Sequence, residues 1–447
     1  MAVEVYTIGG YNEVGKNMTA IKVDDEVVIL DMGLHLPNYI KLTEDEGEDI
    51  LFVGTEDMKK AKAIPNDDMI HSLKEKVKAI IPTHAHLDHI GAIPYMASRY
   101  NAPIISTPYT AAVLKAILKD EKITIKNQIK TLSPNATHKL SENITVEFVN
   151  VTHSTPQVVM VALHTKYGVI LYANDFKFDN HPVLGKKPNY EALKRLGKKG
   201  MLLMIVDSLY GASASKTPSE NVAREMLRDV MLGVDSKGKS VIVTTFSSHL
   251  ARLKSIIEFG KQMNRKIVLM GRSLRKYVQA GEEIKIVNFS KDIEIAGYGK
   301  QIKKTLKQIQ AKGAHKYLLV VTGHQGEPKS TLSKMVRGAF DFKFKPEDHV
   351  IFSCTIIPNQ INKENRAELE KKLKHLGVRI FSGIHVSGHA AREDLRDFVN
   401  MTHPKNIIPA HAEKPGVEGM IELCQEMGYK KDKNIFYVKN GQRIKIK

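Results

Sequence analysis

Short apolar runs alternate with amphipathic stretches along most of the chain, the pattern of an α/β protein. Runs that read as buried strands fall at 27–30, 77–81, 146–151, 169–173, 202–206, 241–245, 266–270, 317–321, 350–354, 379–381 and 406–409. Helical patterns lie between several of them, at 219–231, 250–263 and 365–376. The stretch 39–68 fits neither period. It carries an acidic cluster at 44–49 and a basic one at 59–62. A solvated insertion or mobile loop is the expectation there, with a substrate-facing lid as the alternative, since long loops are often functional.

Polar residues of metal-ligand type stand directly after these runs. Asp31 follows 27–30, His84, His86, Asp88 and His89 follow 77–81, and His153 follows 146–151. Asp175, Asp207 and His411 follow 169–173, 202–206 and 406–409. Open α/β sheets build their sites at the carboxyl ends of strands. One Asp or His at a strand end is an ordinary structural residue; six strand ends occupied this way point to one site.

The densest group is Thr83-His-Ala-His-Leu-Asp-His89. In an extended or turn segment, residues two apart point the same way, so His84 and His86 can grip one ion. Asp88 and His89 come where the pattern at 90–96 suggests a helix beginning, so they face elsewhere and can grip a second. Imidazole with carboxylate suits zinc, and manganese or iron less well. A two-metal site needs a shared ligand and further imidazoles, which His153 and Asp175 can supply.

Composition narrows the class. The chain has 447 residues, enough for more than one domain. No apolar run approaches the roughly 18–20 residues of a membrane span, and MAVEVYTIGG lacks the basic-then-apolar opening of a signal peptide. The expectation is a cytoplasmic protein without a membrane partner. The two cysteines, Cys354 and Cys424, form no CxxC pair, which excludes a disulfide framework and a cysteine-held metal and leaves two buried thiols. There are 67 Lys+Arg against 49 Asp+Glu, a net charge of +18. That excess favours a polyanionic partner, although a Lys- and Glu-rich surface of thermophilic type would also produce it.

The HxHxDH segment, Asp31 before it, and His153 and Asp175 after it resemble the metallo-β-lactamase superfamily. Asp207 in Ile-Val-Asp-Ser, His389 in His-Val-Ser-Gly-His-Ala and His411 in Ile-Pro-Ala-His-Ala-Glu resemble motifs A, B and C of the β-CASP nucleases. Asp175-Phe-Lys-Phe-Asp179, Thr244-Thr-Phe-Ser-Ser248, Gly271-Arg-Ser273 and Thr322-Gly-His-Gln-Gly-Glu-Pro328 are similar to segments of the ribonuclease J family. This resemblance spans the chain. It implies a metallo-β-lactamase αββα sandwich with an inserted α/β β-CASP domain: residues 1–206 and 377–447 lactamase-like, and 207–376 inserted.

The same resemblance implies roles. His84, His86 and His153 would hold one zinc ion, and Asp88, His89 and His411 a second, with Asp175 bridging. Asp31 would orient a ligand histidine from behind. His389 would be the general acid for a leaving 3′ oxygen, held by Asp207. Asp175 and Asp88 would take part in catalysis through the metals. Ser387 and Gly388 would bind a phosphate of the RNA, with His385 supporting them. A His at motif C, here His411, is similar to the RNA-acting members. The expected substrate is single-stranded RNA, cut 5′→3′ as an exonuclease that leaves 5′-phosphates. His324 stands where family members commonly carry Ser. The expectation is that the chain lacks the C-terminal domain through which bacterial members dimerise, so a homodimer stays open.

Three other readings share part of this pattern. An endonuclease of the same family shares all of it. A small-molecule metallo-hydrolase shares the metal motif but needs neither Asp207, His389 nor the positive charge. A non-enzymatic RNA-binding subunit typically lacks metal ligands, which this chain retains. His35, His181 and His249 lie near family-like segments and read as structural or exposed. Arg272, Arg275 and Lys276 are either RNA contacts or a solvated charge run.

Overall fold

The computed structural model describes residues 3–44 and 54–446. All eleven expected strands are present, displaced by at most a residue or two at their ends, and the three expected helices form as Glu220–Gly233, Leu250–Gln262 and Gln360–His375. Among the described residues no helix is long and apolar enough to cross a membrane.

The chain divides into two units. The first comprises residues 1–180, 186–217 and 387–447, and the second 181–185 and 218–386. The expected boundaries at 206/207 and 376/377 differ from this division. Residues 208–217 return to the first unit, where the Ser208 N–H donates to the Ala410 carbonyl and the Thr217 N–H to Asp394. Strand Arg379–Phe381 pairs with His349–Phe352, so the chain stays in the second unit past residue 376.

Two mixed sheets form the first unit. The seven-stranded one runs, in spatial order, Gln442–Ile446, Val3–Gly9, Met18–Val23, Glu26–Leu30, Val77–Ile81, Ile104–Ser106 and Ile129–Thr131. The six-stranded one runs Asn406–Ala410, Met201–Asp207, Gly168–Ala173, Val159–Thr165, Thr145–Asn150 and Thr137–Lys139. Alternation along each strand decides what goes where. Ile170, Tyr172, Leu203 and Ile205 meet Val5, Ile21, Val28 and Leu30 in a core between the sheets. Leu171, Ala173, Met204 and Val206 face the other way, into a core closed by Leu193, Leu196, Phe398 and Met420 from helices. Covering both faces requires apolar residues at successive positions, which is why these strands read as continuous runs.

The second unit is a six-stranded, wholly parallel sheet in the order Ile293–Ala296, Lys266–Met270, Tyr317–Val321, Val241–Thr244, His349–Phe352, Arg379–Phe381. Helices joining the strands pack Leu306, Leu332 and Leu373 onto Val268, Leu319 and Val350. Arg252, fully buried, is held by the Glu220 carboxylate at 2.6 and 2.8 Å and donates to Ser353 and to the Ile384 carbonyl. Cys354 and Cys424 are both buried and free, as expected.

The stretch 39–68 corrects an expectation. Residues 45–53, with most of the acidic cluster, lie outside the described residues. The flanks are not a solvated loop: Leu36–Glu44 and Thr55–Lys60 are helical, and Met58, Ala63 and Ile64 are buried. Asp67, also buried, accepts from the Tyr100 hydroxyl at 2.6 Å and pairs with Arg99. Isolated apolar residues among charged neighbours hide such anchoring from a periodicity reading.

Arg252→Ala should destabilise the protein by about 3–5 kcal/mol in urea unfolding, because it removes both guanidinium hydrogen bonds from the buried Glu220 carboxylate and leaves His249 Nε2 3.5 Å away. A loss under about 1 kcal/mol would show that water or another cation reaches Glu220.

Candidate metal centre

Strand pairing brings the polar strand ends together. Leu30 pairs with Ile81 in parallel strands, which sets Asp31 beside the segment from Thr83 to His89. Met201–Asp207 pairs in parallel with both neighbours, with Asp207 opposite Ala410, so Asp175, Asp207 and His411 emerge at one sheet edge. Thr145–Asn150 is antiparallel to Val159–Thr165, which is antiparallel to Gly168–Ala173. His153 therefore leaves its strand at the same edge. Asp31, Asp175 and His411 adopt left-handed backbone, with φ of 59°, 50° and 51°. Such conformations cost on the order of 1–3 kcal/mol each and gather at functional sites.

Two ligand groups result. His84, His86, His153 and Asp175 form one; Asp88, His89, His411 and Asp175 form the other. Asp175, 2% exposed, belongs to both. Its Oδ2 lies 3.6 Å from His84 Nε2, 3.6 Å from His153 Nε2 and 3.2 Å from His89 Nε2, while Oδ1 lies 3.7 Å from His411 Nε2. Asp88 Oδ2 is 3.6 Å from His89 Nε2 and 4.0 Å from His411 Nε2.

The electrostatics suit cations. Burial holds His84 and His153 well below the usual histidine range and His86 down to about 4, so these rings are neutral and offer lone pairs. Burial also opposes charge on His89, but Asp175, Asp31 and Asp88 outweigh it and hold that ring well above its ordinary value. Asp175 is pushed up by burial, yet His411, His89 and His389 hold it well below the carboxylate range. Ring nitrogens of His84, His86 and His153 approach at 3.1 and 3.2 Å, and Asp175 Oδ1 is buried without a hydrogen bond among the described residues. Lone pairs at that separation repel unless a proton or a cation lies between them. The nitrogen-rich donor set fits zinc better than magnesium or calcium, which take oxygen ligands.

Most ligand rings are tied from behind. His89 Nδ1 donates to Asp31 at 2.8 Å, and Asp31 is itself fixed by the Thr83 N–H and hydroxyl. His84 Nδ1 meets the Thr83 hydroxyl at 3.0 Å. His153 Nδ1 donates to the Gly388 carbonyl at 2.7 Å. His411 Nδ1 faces the Asn17 carboxamide, 3.1 Å from its oxygen. Each bond leaves Nε2 of its ring facing Asp175, the side from which a metal would be held.

Asn17 and Thr83 were not expected here. Asn17 is buried, and its side-chain nitrogen also reaches the Asp88 carbonyl and His89 Nε2, both at 3.0 Å. It precedes the strand Met18–Val23 in Gly-Lys-Asn-Met and meets His411 across the length of the chain, so no local spacing announces it.

His389 stands over both groups. Its ring is stacked on His411 at 5.5 Å and edge-on to His153 at 4.8 Å. Nδ1 lies 2.7 Å from the fully buried Asp207 Oδ2. Burial opposes its charge, but Asp207 and Asp175 raise its pKa to about 9. Asp175, Asp207 and His389 also lie close enough to form a third ligand group. The 2.7 Å hydrogen bond to Asp207 holds the His389 ring through Nδ1 and leaves Nε2 as its other nitrogen.

The remaining expected residues sit as follows. Ser387 Oγ accepts the His389 N–H at 3.0 Å, and a Cβ on Gly388 would meet the His153 ring at 2.7 Å. His385 belongs to the second unit, beside Phe246. His324 packs on the same Phe246 at 4.6 Å.

Residues 11–216 match the metallo-β-lactamase superfamily, 238–369 the ribonuclease J β-CASP domain, and 375–438 the Zn-dependent metallo-hydrolase RNA specificity domain. The chain is 44% identical over 443 residues to a ribonuclease J of Methanocaldococcus jannaschii, covering 99% of this chain and 98% of that one. It is 40% identical over 448 residues to a ribonuclease J of Pyrococcus abyssi, covering 99% and 97%. Ribonuclease J 1 of Streptococcus pyogenes is 30% identical over 449 residues, covering 99% of this chain and 74% of the relative. A solved structure of a protein of unknown function from Enterococcus faecalis has the same fold, with a TM-score of 0.65 at 16% identity over 99% of both chains.

Asn17→Ala should weaken zinc binding at the His411 side about 10- to 100-fold and leave the His84 side unchanged. Competition titration with a chromophoric chelator would resolve the two steps. Equal weakening of both, or of neither, would contradict the role given to Asn17.

Proposed function

The chain belongs to the ribonuclease J family, a metallo-β-lactamase domain with an inserted β-CASP domain, and from that premise we propose a zinc-dependent 5′→3′ exoribonuclease that acts on single-stranded RNA in the cytoplasm and leaves 5′-phosphates. One observation carries the reading: a single buried carboxylate, Asp175, is shared by two imidazole groups, with the His389–Asp207 dyad over both. The net charge of +18 suits a polyanionic substrate.

His84, His86 and His153 would hold one zinc ion and Asp88, His89 and His411 the other, with Asp175 between them. When bound, such a pair supplies Lewis acidity for the phosphate and makes a hydroxide nucleophile available near neutral pH. The chain's own residues do the rest. Asp207 accepts a hydrogen bond from His389 Nδ1–H, and its negative charge favours the protonated ring. Hydroxide oxygen bonds to phosphorus as the bond from phosphorus to the 3′ oxygen breaks. His389 gives its Nε2 proton to that oxygen, and the 5′-phosphate stays on the downstream fragment. The Ser387 hydroxyl, which accepts from the His389 N–H, keeps its own proton to donate to an RNA phosphate. The Gly388 carbonyl is committed to His153, so its contribution to phosphate binding is through its N–H and its lack of a side chain.

His389→Ala should lower turnover by about 10²–10⁴-fold with metal content unchanged; metal loss would make His389 a ligand instead. Asp207→Asn removes the anion that keeps His389 protonated, so the alkaline limb of kcat should move to lower pH. An unmoved limb would assign it to another group.

The reaction itself is tested with one single-stranded 5′-monophosphate RNA, labelled at either end. Immediate release of the 5′ label as mononucleotide, with the 3′ label in slowly shrinking fragments, is expected. Both labels appearing first in discrete internal fragments would make the protein an endonuclease. Intact RNA in both reactions would overturn the substrate assignment.

A further inference from the structure

Tyr210 is 37% exposed. Val222, Leu232, Tyr298, Ile361 and Leu376, the other large hydrophobic side chains exposed to that degree among the described residues, all belong to the second unit. Tyr210 thus stands by itself in the first unit, and it stands beside the dyad: its ring centroid is 6.1 Å from that of His389, with the planes at 59°. Its hydroxyl makes no hydrogen bond to any described residue.

The backbone fixes this placement. Asp207 ends its strand and accepts the Leu209 N–H at 2.9 Å, the Gly211 N–H donates to the Ser208 carbonyl at 2.9 Å, and the Ser213 N–H donates to the Tyr210 carbonyl at 2.9 Å. Tyr210 also forms a parallel bridge to Ala391, two residues after His389. One turn therefore delivers both the carboxylate that charges His389 and an aromatic ring next to it. A single exposed aromatic is unremarkable on a surface. A rigidly held one, within a nucleotide's reach of the group that protonates the leaving oxygen, has a chemical use: nucleobases present flat apolar faces that stack on aromatic side chains whatever their sequence.

We propose that Tyr210 is a stacking platform for the base of the nucleotide bearing the leaving 3′ oxygen. The inference rests on the ribonuclease reading above. Stacking there orients the ribose so that its 3′ oxygen meets His389. Every base has an apolar face, so stacking there does not depend on which base is presented.

The test uses a short single-stranded RNA cut at one mapped bond, and the same RNA without the base on the nucleotide 5′ of that bond. On the intact RNA, Tyr210→Ala should lower kcat/KM about tenfold to a hundredfold. On the abasic RNA wild type and variant should agree within about twofold, and Tyr210→Phe and Tyr210→Trp should keep most activity on the intact RNA. Zinc content, measured in parallel, should not change. An equal loss on both RNAs, no loss on either, or a Phe variant as poor as Ala would overturn the stacking role. A wild-type protein that cuts neither RNA would instead refute the ribonuclease reading, and this inference with it.

Discussion

A buried carboxylate without a counter-charge is among the most costly features a fold can contain. Asp175 is a buried carboxylate whose counter-charge comes from histidines, and the first unit is arranged to supply them. Nitrogens of His84, His89, His153 and His411 stand around its two oxygens, contributed by three separated parts of the chain. Such convergence needs parallel neighbours in both sheets so that strand ends coincide. It also needs left-handed turns at Asp31, Asp175 and His411, whose strain persists because the surrounding pairing over-determines it. Two cations sharing Asp175 would relieve the electrostatic demand and give the strain a purpose.

Behind this inner ring lies a second set of constraints, all on imidazole orientation. Asp31, Thr83 and the Gly388 carbonyl each engage one ring nitrogen, and Asn17 engages two, on His411 and His89. Gly388 links the two halves of the chemistry, since it orients His153 and stands next to His389. Ser387 accepts the His389 N–H and so braces the turn that carries that ring.

Legibility in the sequence followed the range of the interaction. Strands covered on both faces are continuous apolar runs, so all eleven appear where expected. HxHxDH is local, and Asp31, His153, Asp175, Asp207 and His411 each follow a strand, so strand ends alone pointed to a shared site. His389 follows no strand directly and depended on family resemblance. Asn17 had no local sign, because its partner His411 lies at the far end of the chain and a lone buried Asn has no period. The unit boundaries moved for a similar reason: residues 208–217 and 379–386 are placed by hydrogen bonds to distant strands, which composition does not reveal. Among the described residues of 39–68, Met58, Ala63 and Ile64 are buried but scattered among charged neighbours, too weak a pattern to identify as anchored.

The most direct test of the account is anomalous diffraction at the zinc absorption edge from crystals of the zinc-loaded protein. Two peaks should appear on either side of the Asp175 carboxylate, roughly 3.5–4 Å apart, one among His84, His86 and His153 and the other among Asp88, His89 and His411. A single peak, or a peak between Asp207 and His389, would contradict a dinuclear centre bridged by Asp175 and the general-acid role built beside it.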